Sequence, residues 1–340
     1  MNEMKDEERG RLPMTSLNST MRGGAAVGAA VVGALLLAAC SGSGSGIAGN
    51  AADPATSHSS ASARAETLVT QGTYVALGDS YTSAPGVPTK VGTPAGCERS
   101  SGNYPALVAQ SLGLSAGRVN DVSCNGAKIA NLTGAESTSN GVNAAQLSAL
   151  TANTTLVTLG IGGNDIDFAG VLGRCVAVDL IPALVGGAAS GLSPCESYYT
   201  SGGTDRIDQQ IQSTATQLAD VLSRITRSAP HARVFVVGYP DLLPPGGTSC
   251  AHKLGITSAD LVFLNREESR LNAMLKSSAQ TAGAVYVDTY TPSEGHDACA
   301  DPTTRWTEPL VPASPAAPLH PNARGEQGMA DAVLSAIKAA

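Results

Sequence analysis

Aromatic side chains make up only 4% of the 340 residues, with one Trp and three Phe. A buried core must therefore be built from Val, Leu, Ile and Ala, within a hydrophobic content of 42%. Lys and Arg form no cluster, and the formal net charge is −7. Phosphate backbones are held by clustered cations, so no nucleic-acid partner is expected. No strand-like run is followed by a dinucleotide-type or Walker-type glycine loop, which argues against nucleotide binding. No Cys-x-x-Cys or Cys-x-x-His spacing occurs, so neither a metal nor another cofactor is expected. No apolar run reaches the roughly 20 residues of a membrane-spanning helix. There is no internal repeat.

What is present begins with a leader. Residues 24–39 are uncharged and apolar, follow Arg22, and end in Leu37-Ala38-Ala39-Cys40. Sixteen residues suit the core of an export signal rather than a span. Small residues before a cysteine resemble the bacterial lipobox, so residues 1–39 are expected to be cleaved and Cys40 lipidated. An ordinary signal peptide with a chance cysteine is the plainer alternative. Residues 41–66 are mostly Ser, Gly, Ala and Thr, a composition that cannot bury enough surface to fold. The expected organisation is signal peptide 1–39, lipidated cysteine and flexible tether 40–67, and one folded domain 68–340. The protein is expected outside the cell, on the outer face of the membrane through Cys40 or released, and as a monomer.

Six cysteines remain once Cys40 is set aside. An even number in an exported chain implies disulfides. Sequential pairing, Cys97–Cys124, Cys175–Cys195 and Cys250–Cys299, closes local loops and is the preferred connectivity among those allowed.

Five short apolar or β-branched runs are bounded by Gly, Pro, Asn or Asp: 73–77, 118–122, 155–160, 233–238 and 284–288. Each reads as a buried strand. Helical segments are expected at 104–112, 143–150, 205–228, 258–281 with Ser258 as N-cap, and from Pro321 to Ile337. This alternation implies an α/β fold, with a parallel sheet covered by helices on both faces. Ligands in such folds sit at the carboxyl ends of the strands. Gly78-Asp79-Ser80 follows the first run, Ser123-Cys124-Asn125-Gly126 the second, and Gly162-Gly163-Asn164-Asp165 the third. His320 lies beyond the fifth, before the last helix.

These positions suit acyl transfer. Ser80 on a strand-to-helix turn is a candidate nucleophile, and His320 is a base that titrates near neutrality. The N–H groups of Ser80 and Gly126 and the amide of Asn164 are candidate oxyanion donors. Each block alone is a common turn, and only their order carries weight. Together, Gly78-Asp79-Ser80-Tyr81, Gly126, Gly162-Gly163-Asn164-Asp165 and His320-Pro321 resemble the four blocks of the SGNH hydrolases, the GDSL esterases and lipases. That resemblance implies a flavodoxin-like three-layer α/β/α sandwich with a five-stranded parallel sheet. It assigns Ser80 as nucleophile, His320 as base, and Ser80, Gly126 and Asn164 as oxyanion donors. The cysteines and Gly295–Cys299 look like its secreted three-disulfide bacterial branch.

One departure stands out. Most of that family has an aspartate three residues before the histidine, and here that position is Ala317. A backbone carbonyl such as that of Ala317 can accept the Nδ1 proton instead, giving a Ser–His dyad; Asp301 and Glu308 are the alternative carboxylates. Tyr81 and Trp306 are candidates for the acyl pocket, and His296 for a substrate contact. The expected activity is hydrolysis of lipid or other acyl esters, with an ester as the substrate partner. Deacetylation of envelope polysaccharide and a non-catalytic envelope-binding lipoprotein are the competing readings.

Overall fold

The structure is a computed structural model that describes residues 66–185 and 191–340. The signal segment, Cys40 and nearly all of the tether fall outside the described residues. Five parallel strands form the main sheet: β1 Thr73–Gly78, β2 Val119–Asp121, β3 Thr154–Gly160, β4 Arg233–Val237 and β5 Val285–Val287. Their order is β2-β1-β3-β4-β5. This is the flavodoxin-type order, which reverses direction between β1 and β3 and so opens a crevice at their carboxyl ends. Gly78 and Gly160 pair directly across that point.

Alternate strand residues enter two cores. Val75, Leu77, Val157, Leu159 and Val236 face one core, shared with helices α3 (Arg206–Ser228) and α4 (Ser258–Thr281). Tyr74, Ala76, Leu156, Phe235 and Val287 face the other, shared with α1 (Tyr104–Ser111) and α5 (Ala323–Ala339). A sheet buried on both faces is why the strands read as continuous apolar runs. Among the described residues no helix is long and apolar enough to cross a membrane.

Several boundaries differ from the sequence reading. Asp205 caps α3, its Oδ1 accepting from the N–H groups of Ile207 and Asp208 at 3.0 and 3.1 Å. Thr257, not Ser258, caps α4, and Asn322 caps α5, so Pro321 lies just outside that helix. Each cap satisfies an N–H that the first turn leaves free. The helix expected at 143–150 is absent. Asn143 instead closes a hairpin, Glu136–Thr138 with Gly141–Asn143, and Gln146–Ala149 forms a single 3₁₀ turn. Helix α2, Phe168–Val185, was not foreseen. Val171, Leu172, Val176, Val178, Leu180 and Ile181 surround its axis, so no polar stripe marks its period.

The disulfides join Cys97–Cys124, Cys175–Cys195 and Cys250–Cys299. The first lies two residues before Gly126, at the end of β2.

Candidate active site

Ser80 opens a one-turn helix, Ser80–Ser83, directly after β1. The turn is tight because Gly78 has no side chain: a Cβ there would lie 2.2 Å from Thr82 Oγ1 and 2.6 Å from the Gly160 carbonyl. Asp79 caps the turn through Oδ1, which accepts from the Tyr81 N–H at 3.0 Å. Its Oδ2 accepts from the Tyr239 hydroxyl at 2.5 Å. Burial pushes the Asp79 carboxyl up to about 7, although both hydrogen bonds favour its charged form. Gln146 clamps the same turn, its Oε1 accepting from Gly78 N at 2.8 Å and its Nε2 donating to Gly78 O at 2.9 Å.

His320 arrives from the far side, at the foot of a loop before α5. Its Nε2 lies 2.8 Å from Ser80 Oγ. Its Nδ1 lies 2.7 Å from the carbonyl oxygen of Pro318. A carbonyl only accepts, so Nδ1 carries the proton and Nε2 is left to accept from the serine hydroxyl. Burial lowers the His320 pKa, and the Pro318 hydrogen bond opposes that shift. The acceptor for Nδ1 is therefore the carbonyl of Pro318, not that of Ala317, which accepts from the His320 backbone N–H at 3.2 Å, while the Ala317 N–H donates to Pro85 O at 2.7 Å.

The two alternative carboxylates have other work. Asp301 binds the N–H and hydroxyl of Thr303 at 2.8 and 2.5 Å. Glu308 is fully buried and accepts from Asn322 Nδ2, Ala313 N and Ser314 N at 2.8, 2.8 and 3.2 Å. Arg305 stands 3.9 Å away. Those hydrogen bonds hold the Glu308 carboxyl below its ordinary value despite its burial.

Asn164 Nδ2 donates to the Ala127 carbonyl at 3.0 Å, joining its loop to that of Gly126. An amide nitrogen has two protons, so one remains for a substrate oxygen. Asp165 receives the Ile129 N–H at 3.1 Å and binds the same two loops together. Gly126 adopts φ +90°, and neither its N–H nor that of Ser80 has a partner among the described residues.

Ser80, Asn164 and His320 line one cleft of about 650 Å³, open solvent included. Tyr81, Phe168, Leu172, Leu242 and Leu271 make most of its wall apolar. Trp306 does not contribute: it packs against α5, where a Cβ on Gly328 would meet its ring at 2.2 Å. His296 stacks on Trp306 at 5.2 Å and stays outside the cleft.

The sequence reading missed three supports. Tyr239 donates to Asp79 and accepts from Gly163 N at 2.8 Å, linking the serine turn to the asparagine loop. Asn272 holds the Tyr239 backbone by both its N–H and its carbonyl, at 2.8 and 2.9 Å. Gln146 is the third. Tyr239 follows the fourth strand just as the other blocks follow theirs, and that position was the available signal.

Comparisons with known proteins bear on the family and the fold. The model of the GDSL-like lipase/acylhydrolase family matches residues 76–327. Lipase 2 of Streptomyces coelicolor is 38% identical over 266 residues, 78% of this chain and 85% of its own. Phospholipase A1 from Streptomyces albidoflavus superposes with a TM-score of 0.63 at 27% identity, covering 79% of this chain and 99% of that one. The extracellular lipase of Streptomyces rimosus gives 0.62 at 28%, over 78% and 99%.

Proposed function

We propose, from the premise that this chain belongs to the GDSL-like lipase/acylhydrolase family and is a carboxylic ester hydrolase, that it works through an acyl-enzyme on Ser80 with His320 as sole side-chain base. The contact of 2.8 Å between Ser80 Oγ and His320 Nε2, with Nδ1 held by a backbone carbonyl, carries this reading. Ser80 Oγ attacks the ester carbonyl carbon while Nε2 takes its proton. The oxyanion is stabilised by the N–H groups of Ser80 and Gly126 and by Asn164 Nδ2. The imidazolium then protonates the departing alcohol, leaving an ester on Ser80. A water, deprotonated by His320, attacks that ester and restores the serine.

The Pro318 carbonyl fixes the tautomer, as a carboxylate does in a triad, but brings no negative charge to the imidazolium. The leader and Cys40 support export and tethering at the membrane surface, which mass spectrometry of the mature N-terminus tests. A diacyl mass on Cys40, lost in Cys40→Ser, is the expected result.

The enzymatic test is hydrolysis of p-nitrophenyl esters from acetate to palmitate. Ser80→Ala and His320→Ala should each lower kcat by about three orders of magnitude or more. Parental activity in Ser80→Ala would discard the nucleophile assignment.

A further inference from the structure

Asn265, Glu268 and Asn272 are buried polar side chains of α4. Their spacing of three and four residues places them in one row along the helix. Buried polar groups need partners, and these three find theirs on the backbone of the segment that follows β4. Tyr239–Leu243 has left the sheet, and no strand pairs with it. Asn272 takes the N–H and the carbonyl of Tyr239. Glu268 Oε1 accepts from Leu242 N at 3.0 Å, and Asn265 Nδ2 donates to Leu243 O at 2.7 Å. Ser293 Oγ accepts from Asp241 N at 2.7 Å, and Ala298 N donates to Leu242 O at 3.1 Å. The segment thus owes its shape to side chains, chiefly those of α4.

The middle residue of the row differs from the other two. Glu268 alone is ionisable, and it lines the cleft together with Leu242 and Leu271. The cleft has one other carboxyl, Asp79, and both of its oxygens are already bonded. Glu268 Oε2 is buried with no hydrogen-bond partner among the described residues. Burial pushes the Glu268 carboxyl well up, and the charges of Asp241 and Asp297 push it further. Since Oε1 accepts from an N–H, the acid proton belongs on Oε2. Glu268 therefore grips Leu242 as a neutral group. An apolar side chain at this position would leave the Leu242 N–H buried without an acceptor.

We propose that Glu268 is a positioning residue for substrate selection: by fixing Leu242 it sets the apolar wall on which the acyl chain of the ester lies. This rests on the ester-hydrolase reading and adds the residue that shapes its cleft. Each methylene laid on such a wall leaves water and favours binding. An acetyl group is too short to gain from it, so the wall discriminates by chain length. Tyr239, which serves the serine turn, is held separately by Asn272.

The experiment measures kcat/KM for monomeric p-nitrophenyl octanoate and p-nitrophenyl acetate and takes their ratio, which cancels effects common to both esters. In Glu268→Ala the octanoate-to-acetate ratio should fall about ten-fold, the scale of one or two methylene contacts in an apolar pocket. The change should appear in the KM of the octanoate more than in its kcat. Glu268→Gln keeps an acceptor for Leu242 N and is uncharged, so it should restore most of the parental ratio. Leu242→Ala removes the wall and leaves Glu268 in place. It should lower the ratio as Glu268→Ala does, and it carries the test if Glu268→Ala does not fold. A parental ratio in either alanine variant, an equal loss on both esters included, overturns the proposal. So does a ratio in Glu268→Gln as low as that in Glu268→Ala. A parent enzyme inactive on both esters would instead overturn the ester reading itself.

Discussion

The serine half and the histidine half of the site are held by different kinds of structure. Ser80 stands at the end of a central strand, and its turn is fixed by Gln146, Asp79 and the Gly160 carbonyl. His320 hangs from a loop, with a single backbone carbonyl on its ring. That loop is shaped from within by one buried carboxylate, Glu308, and tied from outside at two points, Ala317 N to Pro85 O and the Tyr81 hydroxyl to Leu319 O, each at 2.7 Å. The strand-end half has redundant supports, and the loop half concentrates them. Damage should therefore spread differently through the two.

The largest effect is expected in the loop half. Glu308→Ala removes the acceptor of three hydrogen bonds and leaves Arg305, 6% exposed, without its counter-charge. Losing one partner of a buried ion pair costs about 3 kcal/mol. The loop should loosen and carry His320 away from Ser80. We expect kcat to fall about 100-fold, since misplacement of a catalytic group by about 1 Å costs that much, with a lower melting temperature. Parental kcat with parental stability would show that the loop is held by something other than Glu308.

Tyr239→Phe probes the strand-end half. The variant keeps the ring in the cleft but breaks the bridge from Asp79 to Gly163. Gln146, the Asp79 cap and Asn272 remain, so the loss should be near ten-fold in kcat, the scale of one hydrogen bond to an ionisable group, with KM little changed. A loss as large as that of Glu308→Ala would end the contrast between the halves.

The same contrast explains what could be read from the chain. Strand ends are legible because a parallel sheet buried on both faces writes its strands as apolar runs, and chemistry collects where they stop. All five strands are legible that way, with ends shifted by at most one residue, and Ser80 and Asn164 fall just past two of them. Gln146 and Asn272 were missed because each amide acts on a backbone 68 and 33 residues away, a separation with no sequence period. Helix α2 was missed because it is apolar all round. In the loop half, the sequence shows His320 and the lack of a carboxylate side chain at Ala317, and leaves open which backbone carbonyl accepts from the ring. Which carbonyl does so depends on Leu319, whose φ of +61° turns the Pro318 oxygen back towards the ring. A left-handed leucine has no local signature.

The pH dependence sharpens the comparison further. Only neutral His320 can accept the serine proton, so activity rises with pH through its pKa. Burial lowers that pKa, and no carboxylate on Nδ1 raises it. The acid limb of kcat/KM should accordingly have its midpoint below 6.5, the ordinary histidine value. A midpoint above 6.5 that persists in Asp79→Asn, so that the buried Asp79 carboxyl, pushed up to about 7, is not the group titrating, would reveal a negative charge near the ring and favour a triad.

The smallest expected effect is the most direct test of the dyad. Asp301 has both hydrogen bonds to Thr303 on one oxygen and is exposed. Asp301→Ala should leave kcat and KM within about two-fold, as for a surface change away from the site. A missing triad acid would behave otherwise. Its removal frees the ring to adopt the wrong tautomer, with a loss approaching four orders of magnitude in serine proteases. Glu308→Ala cannot separate these cases by rate alone, because it disturbs the loop as well. Glu308→Gln can. The amide keeps an acceptor oxygen for the loop N–H groups and removes the charge. If Glu308 only shapes the loop, Glu308→Gln should recover most of the activity lost in Glu308→Ala. If its charge serves the imidazolium, both variants should be equally inactive, and the acid limb should move further down in Glu308→Gln.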